Sequence, residues 1–125
     1  MEEATHDELA GIVDLFDALT REELEQALVE LAYRRGSDVR EDAVAAAVDE
    51  AIREYYLVAL PADAVDGQVG TDEALIVGPA AFPMLPAEGE DLPHILDVPE
   101  RSIDRAAAAE HVAERLRREA ATAVD

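Results

Sequence analysis

Tyr55-Tyr56-Leu57-Val58-Ala59-Leu60-Pro61 is where the chain changes period. Upstream of it the apolar residues recur at three- and four-residue spacings. Here they run consecutively and stop at a proline, and they do so again in Ala74-Leu75-Ile76-Val77-Gly78-Pro79. Short apolar runs closed by breakers read as strands, which predicts strands over about 57–60 and 74–78. The connection from Pro61 to Glu73 is thirteen residues long. That is long for a simple hairpin and points to a mobile or functional loop.

Working back towards the N-terminus, three helices precede this switch. Thr5 and Glu8 have capping-box spacing, and Leu9, Ile12, Val13, Phe16 and Leu19 share one helical stripe, which predicts a helix over about 7–18. Thr20 and Glu23 repeat the capping pattern. Leu24, Ala27, Leu28 and Leu31 then give a second stripe, and Gly36 stands where a left-handed terminal residue belongs, so the second helix spans about 21–34. Ser37 or Asp38 can cap a third, over about 39–56, carrying Val44, Ala47, Val48, Ala51, Ile52 and Tyr55.

Working forward, residues 79 to 99 hold five of the six prolines, at 79, 83, 86, 93 and 99. That density disfavours regular helix and central strand, so 79–101 is expected to be extended. Phe82, Met84, Leu85, Leu92, Ile95 and Leu96 suggest that it packs along the body as a strap. Ser102 or Asp104 can open a last helix over about 103–121, with Ala109, Val112, Ala113, Leu116 and Ala120 as its buried face. The fold expected is mainly α within the α+β class: a three-helix N-terminal bundle, a small two-stranded β element in winged-helix-like order, a proline-rich strap and a C-terminal helix. At 125 residues one hydrophobic core is enough, so 1–125 is read as a single domain.

The charge is extreme. Thirty Asp and Glu face ten cations, all of them arginine, for a net charge of -20 with no lysine. Half the residues are hydrophobic, which argues for a folded domain and against an acidic disordered tail. Self-repulsion of this size destabilises a compact state in dilute buffer. In about 1 M salt the Debye length falls to roughly 3 Å and distant repulsion vanishes. The composition therefore fits a cytoplasm of high salt, with high salt needed for stability, and acidity becomes background that says little about partners. Together with Leu19-Thr20-Arg21-Glu22-Glu23-Leu24-Glu25-Gln26-Ala27-Leu28, Gly78-Pro79-Ala80-Ala81-Phe82-Pro83 and Asp91-Leu92-Pro93-His94-Ile95-Leu96-Asp97-Val98, it resembles a small family of haloarchaeal proteins of unknown function. The resemblance covers most of the chain and carries no known activity.

Without cysteine there are no disulfides, no thiolate chemistry and no cysteine metal sites. The first residues have neither a basic region nor an apolar run, and no stretch approaches 18 apolar residues, so no membrane partner is expected and the location read is cytoplasmic. His6, His94 and His111 are scattered without a pairwise spacing that would seat a metal, and His94 reads as a packed loop residue. His111 and Glu114 are three apart, a spacing expected by chance among so many carboxylates. Ser37 and Ser102 are the only serines, both at cap positions, and the glycine patterns of nucleotide loops and nucleophile elbows are missing. No catalytic residue, metal site or cofactor is assigned.

Two surfaces remain. Gly78 to Pro86 is uncharged, apolar and stiffened by proline: either Phe82 and Leu85 plug the open end of the bundle, which is the favoured reading, or Phe82, Met84 and Leu85 meet a partner. Three helices followed by two strands is also the element order of a winged helix-turn-helix, whose third helix enters the major groove. There Arg34, Arg35 and Arg40 are the candidate phosphate contacts, although Arg34 and Arg35 equally complement a helix C-terminus. Glu41, Asp42, Asp49, Glu50 and Glu54 on the outward side of that helix would repel phosphate. The function read is a non-enzymatic protein-interaction or regulatory module that binds a protein partner or forms a homodimer through the alanine-rich last helix. A winged-helix-like DNA-binding regulator is the alternative, and a small enzyme or metal-binding protein stands last.

Overall fold

A computed structural model describes residues 6–34, 36, 40–67, 69–70, 73–86 and 89–124. The capping pair Thr5/Glu8 involves a residue outside these ranges, as do Ser37 and Asp38; the third helix nonetheless starts at Glu41 and not at 39, with Arg40 at its N-cap and no side-chain cap hydrogen bond. The second capping box forms as its spacing predicts: the Thr20 N–H donates to Glu23 Oε1 at 2.9 Å, and the Glu23 N–H donates to Thr20 Oγ1 at 3.2 Å. It opens α2 (Arg21–Arg34), which follows α1 (His6–Phe16) and precedes α3 (Glu41–Arg53). Gly36 takes the left-handed conformation, φ 71°, with its N–H on the Tyr33 carbonyl.

Two of these helices stop short of the predicted ends. Asp17, at φ 66°, closes α1 before 18, and Tyr55, also at φ 66°, closes α3 at Arg53 rather than near Tyr56. The second ending has a visible cause. The carbonyls of Tyr55 and Tyr56 are recruited by Ala80 N–H and Gly78 N–H, both at 2.9 Å, so the chain turns out of the helix to meet the start of the strap. A Cβ on Gly78 would overlap the Tyr55 carbonyl, which is why glycine stands there.

The predicted strands appear as β1 (Leu57–Pro61) and, beyond a two-residue strand β2 (Val65–Asp66), β3 (Glu73–Val77). β1 and β3 pair antiparallel, Leu57 opposite Val77 through Pro61 opposite Glu73. Side chains alternate between faces, so Leu57 and Leu75 join the apolar cluster of the three helices. Val58, Leu60, Ala74 and Ile76 form a second cluster on the other face with Ala18, Val65 and Ala108. Covering on both faces explains why these strands read as unbroken apolar runs. Each fully buried leucine, such as Leu57 or Leu60, contributes about 1.5–3 kcal/mol. On the far side of β3, Leu19 exchanges backbone hydrogen bonds with Leu75 at 3.0 and 2.6 Å. The lateral order is therefore Leu19, β3, β1.

The long connection is not a free loop where it is described. Ala62–Ala64 makes a 3-10 turn, and Val65–Asp66 pairs with β4 (Ser102–Ile103), burying Val65. The proline-rich segment is likewise not wholly extended: Gly89–Asp91 is a 3-10 turn that leads into a one-turn helix, α4 (Leu92–Ile95). Proline is tolerated there because Pro93 lies in the first turn, where its missing N–H would find no partner anyway. That turn buries Leu92 and Leu96 in the first cluster and leaves His94 exposed, not packed as expected.

The last helix, α5 (Arg105–Val124), is capped by Asp104, whose Oδ1 accepts from the Ala106 and Ala107 N–H groups at 3.0 and 3.1 Å. It lies over the second cluster, through Ala108 and Val112, on the opposite side of the sheet from the three helices. Its predicted buried face is overturned: Ala109, Leu116 and Ala120 are exposed, and Ala113 is only partly covered. The helix touches the body along 108, 112 and 115, a stripe rotated by one residue. The anchor that sets this rotation is Arg115, which reaches the last carbonyls of α3. The architecture is a mainly helical α+β fold.

Candidate functional site

The strap runs along the outside of α1. Phe82 N–H donates to Asp7 Oδ1 and Met84 N–H to the Asp7 carbonyl, both at 2.9 Å. The backbone then passes so close to Gly11 that a Cβ there would overlap the Met84 carbonyl. Ala80 and Ala81 place their N–H groups on the Tyr55 and Gly78 carbonyls, and Pro79, Pro83 and Pro86 have none to place. The main chain thus faces the protein and the large side chains face outward. Phe82 is 82 % exposed, Met84 56 % and Leu85 45 %, while Pro86 turns in.

This overturns the plug. A phenylalanine sealing the bundle would be buried, and the residues of the proline-rich segment that are buried in the helical cluster are Leu92, on α4, and Leu96, just after it. The reason is spacing: an extended strand docked by its own N–H groups cannot also point those side chains at the surface it docks on. What is left is an ordered, uncharged ledge whose conformational cost has already been met by contacts to α1.

Of the arginines proposed for nucleic acid, the two that are described each meet a carboxylate. Arg34 Nη1 lies 3.4 Å from Asp91 Oδ2, and Arg40 Nη2 lies 2.9 Å from Asp42 Oδ2; Arg35 lies outside the described residues. On α3, Glu41, Asp42, Asp49 and Glu50 are exposed, as is Glu54 just past its end, and Asp49 is already the partner of Arg21 at 2.7 Å. Among the described residues no group of three or more His, Asp or Glu side chains could hold a metal ion.

The model of one protein family matches residues 7–125, which takes in both the strap and α5. The chain belongs to that family of unknown function, DUF7109. No curated protein and no solved structure matches it. Beside the strap, the DUF7109 chain carries a buried ion pair that the sequence did not single out. Arg101 is 7 % exposed, and its guanidinium meets Glu23 at 2.5 and 3.1 Å and the Ala18 carbonyl at 3.2 Å. Burial would push the Glu23 carboxyl up. The hydrogen bonds and charge of Arg101, with the Thr20 N–H, outweigh that and hold it below the ordinary glutamate value. This pair fastens the end of the proline-rich segment to the start of α2. Arg21 ties α2 to α3 through Asp49 at 2.7 Å and the Ala45 carbonyl at 3.0 Å, with Glu25 of its own helix as a further partner.

Sequence reasoning picked out Phe82, Met84 and Leu85 by composition but could not find Asp7 or Gly11. Both lie about seventy residues away in the chain and carry no local signal. For Arg101 a faint one exists, since it is the only cation between Arg53 and Arg105.

Proposed function

We propose that this chain is a non-enzymatic protein-interaction or regulatory module of a halophilic, haloarchaeal cytoplasm, and that it engages a protein partner through Phe82, Met84 and Leu85. The observation that carries this reading is the combination of a backbone fixed to α1 with a phenylalanine that is 82 % exposed. Large apolar side chains on an ordered support gain from burial at an interface without paying to be ordered first. Molar salt supports the same mode of contact, because it screens charge steering and strengthens apolar association. Among the described residues no helix is long and apolar enough to cross a membrane.

The test is a photo-crosslinking side chain placed at Phe82 and, in parallel, at Tyr33, a second exposed aromatic at 78 %. In cells grown at their native salt, a discrete adduct is expected from position 82 and lost when Met84→Ser and Leu85→Ser are added. Equal adducts from both positions, or none from 82, would end the reading. Sedimentation of the purified chain in molar KCl separates a homodimer from a foreign partner.

A second reading, a winged-helix-like DNA-binding regulator, draws support from the order of elements, three helices followed by a two-stranded antiparallel pair that Leu19 flanks with a single bridge to Leu75. The carboxylates along α3 and the pairing of Arg34 and Arg40 weigh against it. Sequence-selective retention of genomic fragments in molar KCl would reverse the ranking.

A further inference from the structure

The outer half of α5 holds a cleft of about 520 Å³ lined by Arg115, Arg118, Glu119 and Thr122. Arg115 is fixed in place. Its Nη2 donates to the Ile52 carbonyl at 2.6 Å and more weakly to that of Arg53, and its guanidinium lies 3.8 Å over the Tyr55 ring. Glu119 is committed as well: one oxygen accepts from Arg115 Nε at 3.5 Å and the other from the Tyr55 hydroxyl. The Thr122 hydroxyl donates to the Arg118 carbonyl at 3.0 Å.

Two donor sets remain. Arg115 Nη1 makes no hydrogen bond among the described residues, and Arg118, one turn on, has no carboxylate partner among them. The two guanidiniums are near enough that Arg118, after burial, adds to the lowering of the Arg115 pKa. In a chain with three carboxylates for every arginine, two cations with donors to spare line this one cleft. Among the described residues Arg21, Arg34, Arg40, Arg101 and Arg115 each meet an acidic side chain, while Arg53, Arg105, Arg117 and Arg118 form no ion pair.

We propose that this cleft binds a phosphate-bearing small molecule, with one phosphate group bridging Arg115 and Arg118. Planar guanidinium forks match the oxygens of a tetrahedral phosphate, and two of them held side by side chelate it where a single chloride gains no such geometry. The volume suits a ligand larger than inorganic phosphate alone. Tyr55 touches both this site and the start of the strap, but the proposal does not depend on the role of Phe82, Met84 and Leu85.

Calorimetric titration of the full chain in molar KCl, with pyrophosphate, ADP, inorganic phosphate and acetate, tests this. Saturable single-site binding of pyrophosphate or ADP is expected, with inorganic phosphate weaker and acetate silent. Tighter ADP than pyrophosphate would point to a nucleotide source, and the reverse to an inorganic polyphosphate. Arg118→Gln should weaken binding by about tenfold or more without moving the thermal midpoint, because its side chain has no hydrogen-bond or ion-pair partner among the described residues. Arg117→Gln, an equal change of charge outside the cleft, should leave affinity unchanged. Absence of saturation with both pyrophosphate and ADP, or equal weakening by the two variants, overturns the proposal.

Discussion

The two halves of the proline-rich segment both carry large apolar side chains and put them to opposite uses. Residues 79–86 turn their main chain to the protein and their large side chains to solvent; residues 89–96 turn Leu92 and Leu96 into the core. The difference lies in backbone form. In the first half the N–H groups of Phe82 and Met84 are spent on Asp7, so the chain docks by its edge. In the second, a single helical turn closes with Leu96 N–H on the Leu92 carbonyl, which puts two leucines four residues apart on one face. Apolar content alone therefore does not say whether a stiff segment covers a core or presents a surface. Where its backbone hydrogen bonds go does.

Three experiments sharpen that contrast. Leu92→Ala should have the largest effect, about 2–5 kcal/mol of lost stability, because it empties a fully buried site in a packed cluster; denaturant unfolding in molar KCl measures it. Glu23→Gln comes next, removing the charge that fastens the far end of the second half through Arg101, with a loss of about 2 kcal/mol at neutral pH. Its sign with pH follows from the carboxyl being held below its ordinary value of 4.5. The contribution is fully present above that value and disappears as pH falls through the folded one, so wild type and variant should converge in acid. A constant gap from neutral pH into acid would remove Glu23 from the account. Phe82→Ala should be smallest, within about 0.5 kcal/mol, since the ring is largely in solvent. A clear drop in its unfolding midpoint would mean that the first half also covers a core.

Much of the frame was legible. Helical spacing marks α1 to α3, and Thr20 with Glu23 forms the box its spacing announces. The runs that stop at Pro61 and Pro79 are the strands, because a hairpin covered on both faces leaves no polar alternation to blur them. Less legible was α5. Alanine is tolerated on either side of a helix, so Ala109, Ala113 and Ala120 mark no face, and the helix turns instead to where Arg115 finds the carbonyls of Ile52 and Arg53. The candidate site was half visible: its side chains stand out in composition, while the clamp at Asp7 and the clearance at Gly11 are contacts across the fold.

By itself, then, the sequence determined what repeats locally: the helices, the paired strands and the capping box at Thr20 and Glu23. Tertiary structure alone decided which side of the strap faces out, which side of α5 faces in, and that Val65–Asp66 meets Ser102–Ile103. The physical reason is range. Periodicity and capping are settled within one or two turns of chain, whereas the direction a segment faces is set by whichever distant carbonyl, carboxylate or missing Cβ satisfies its backbone.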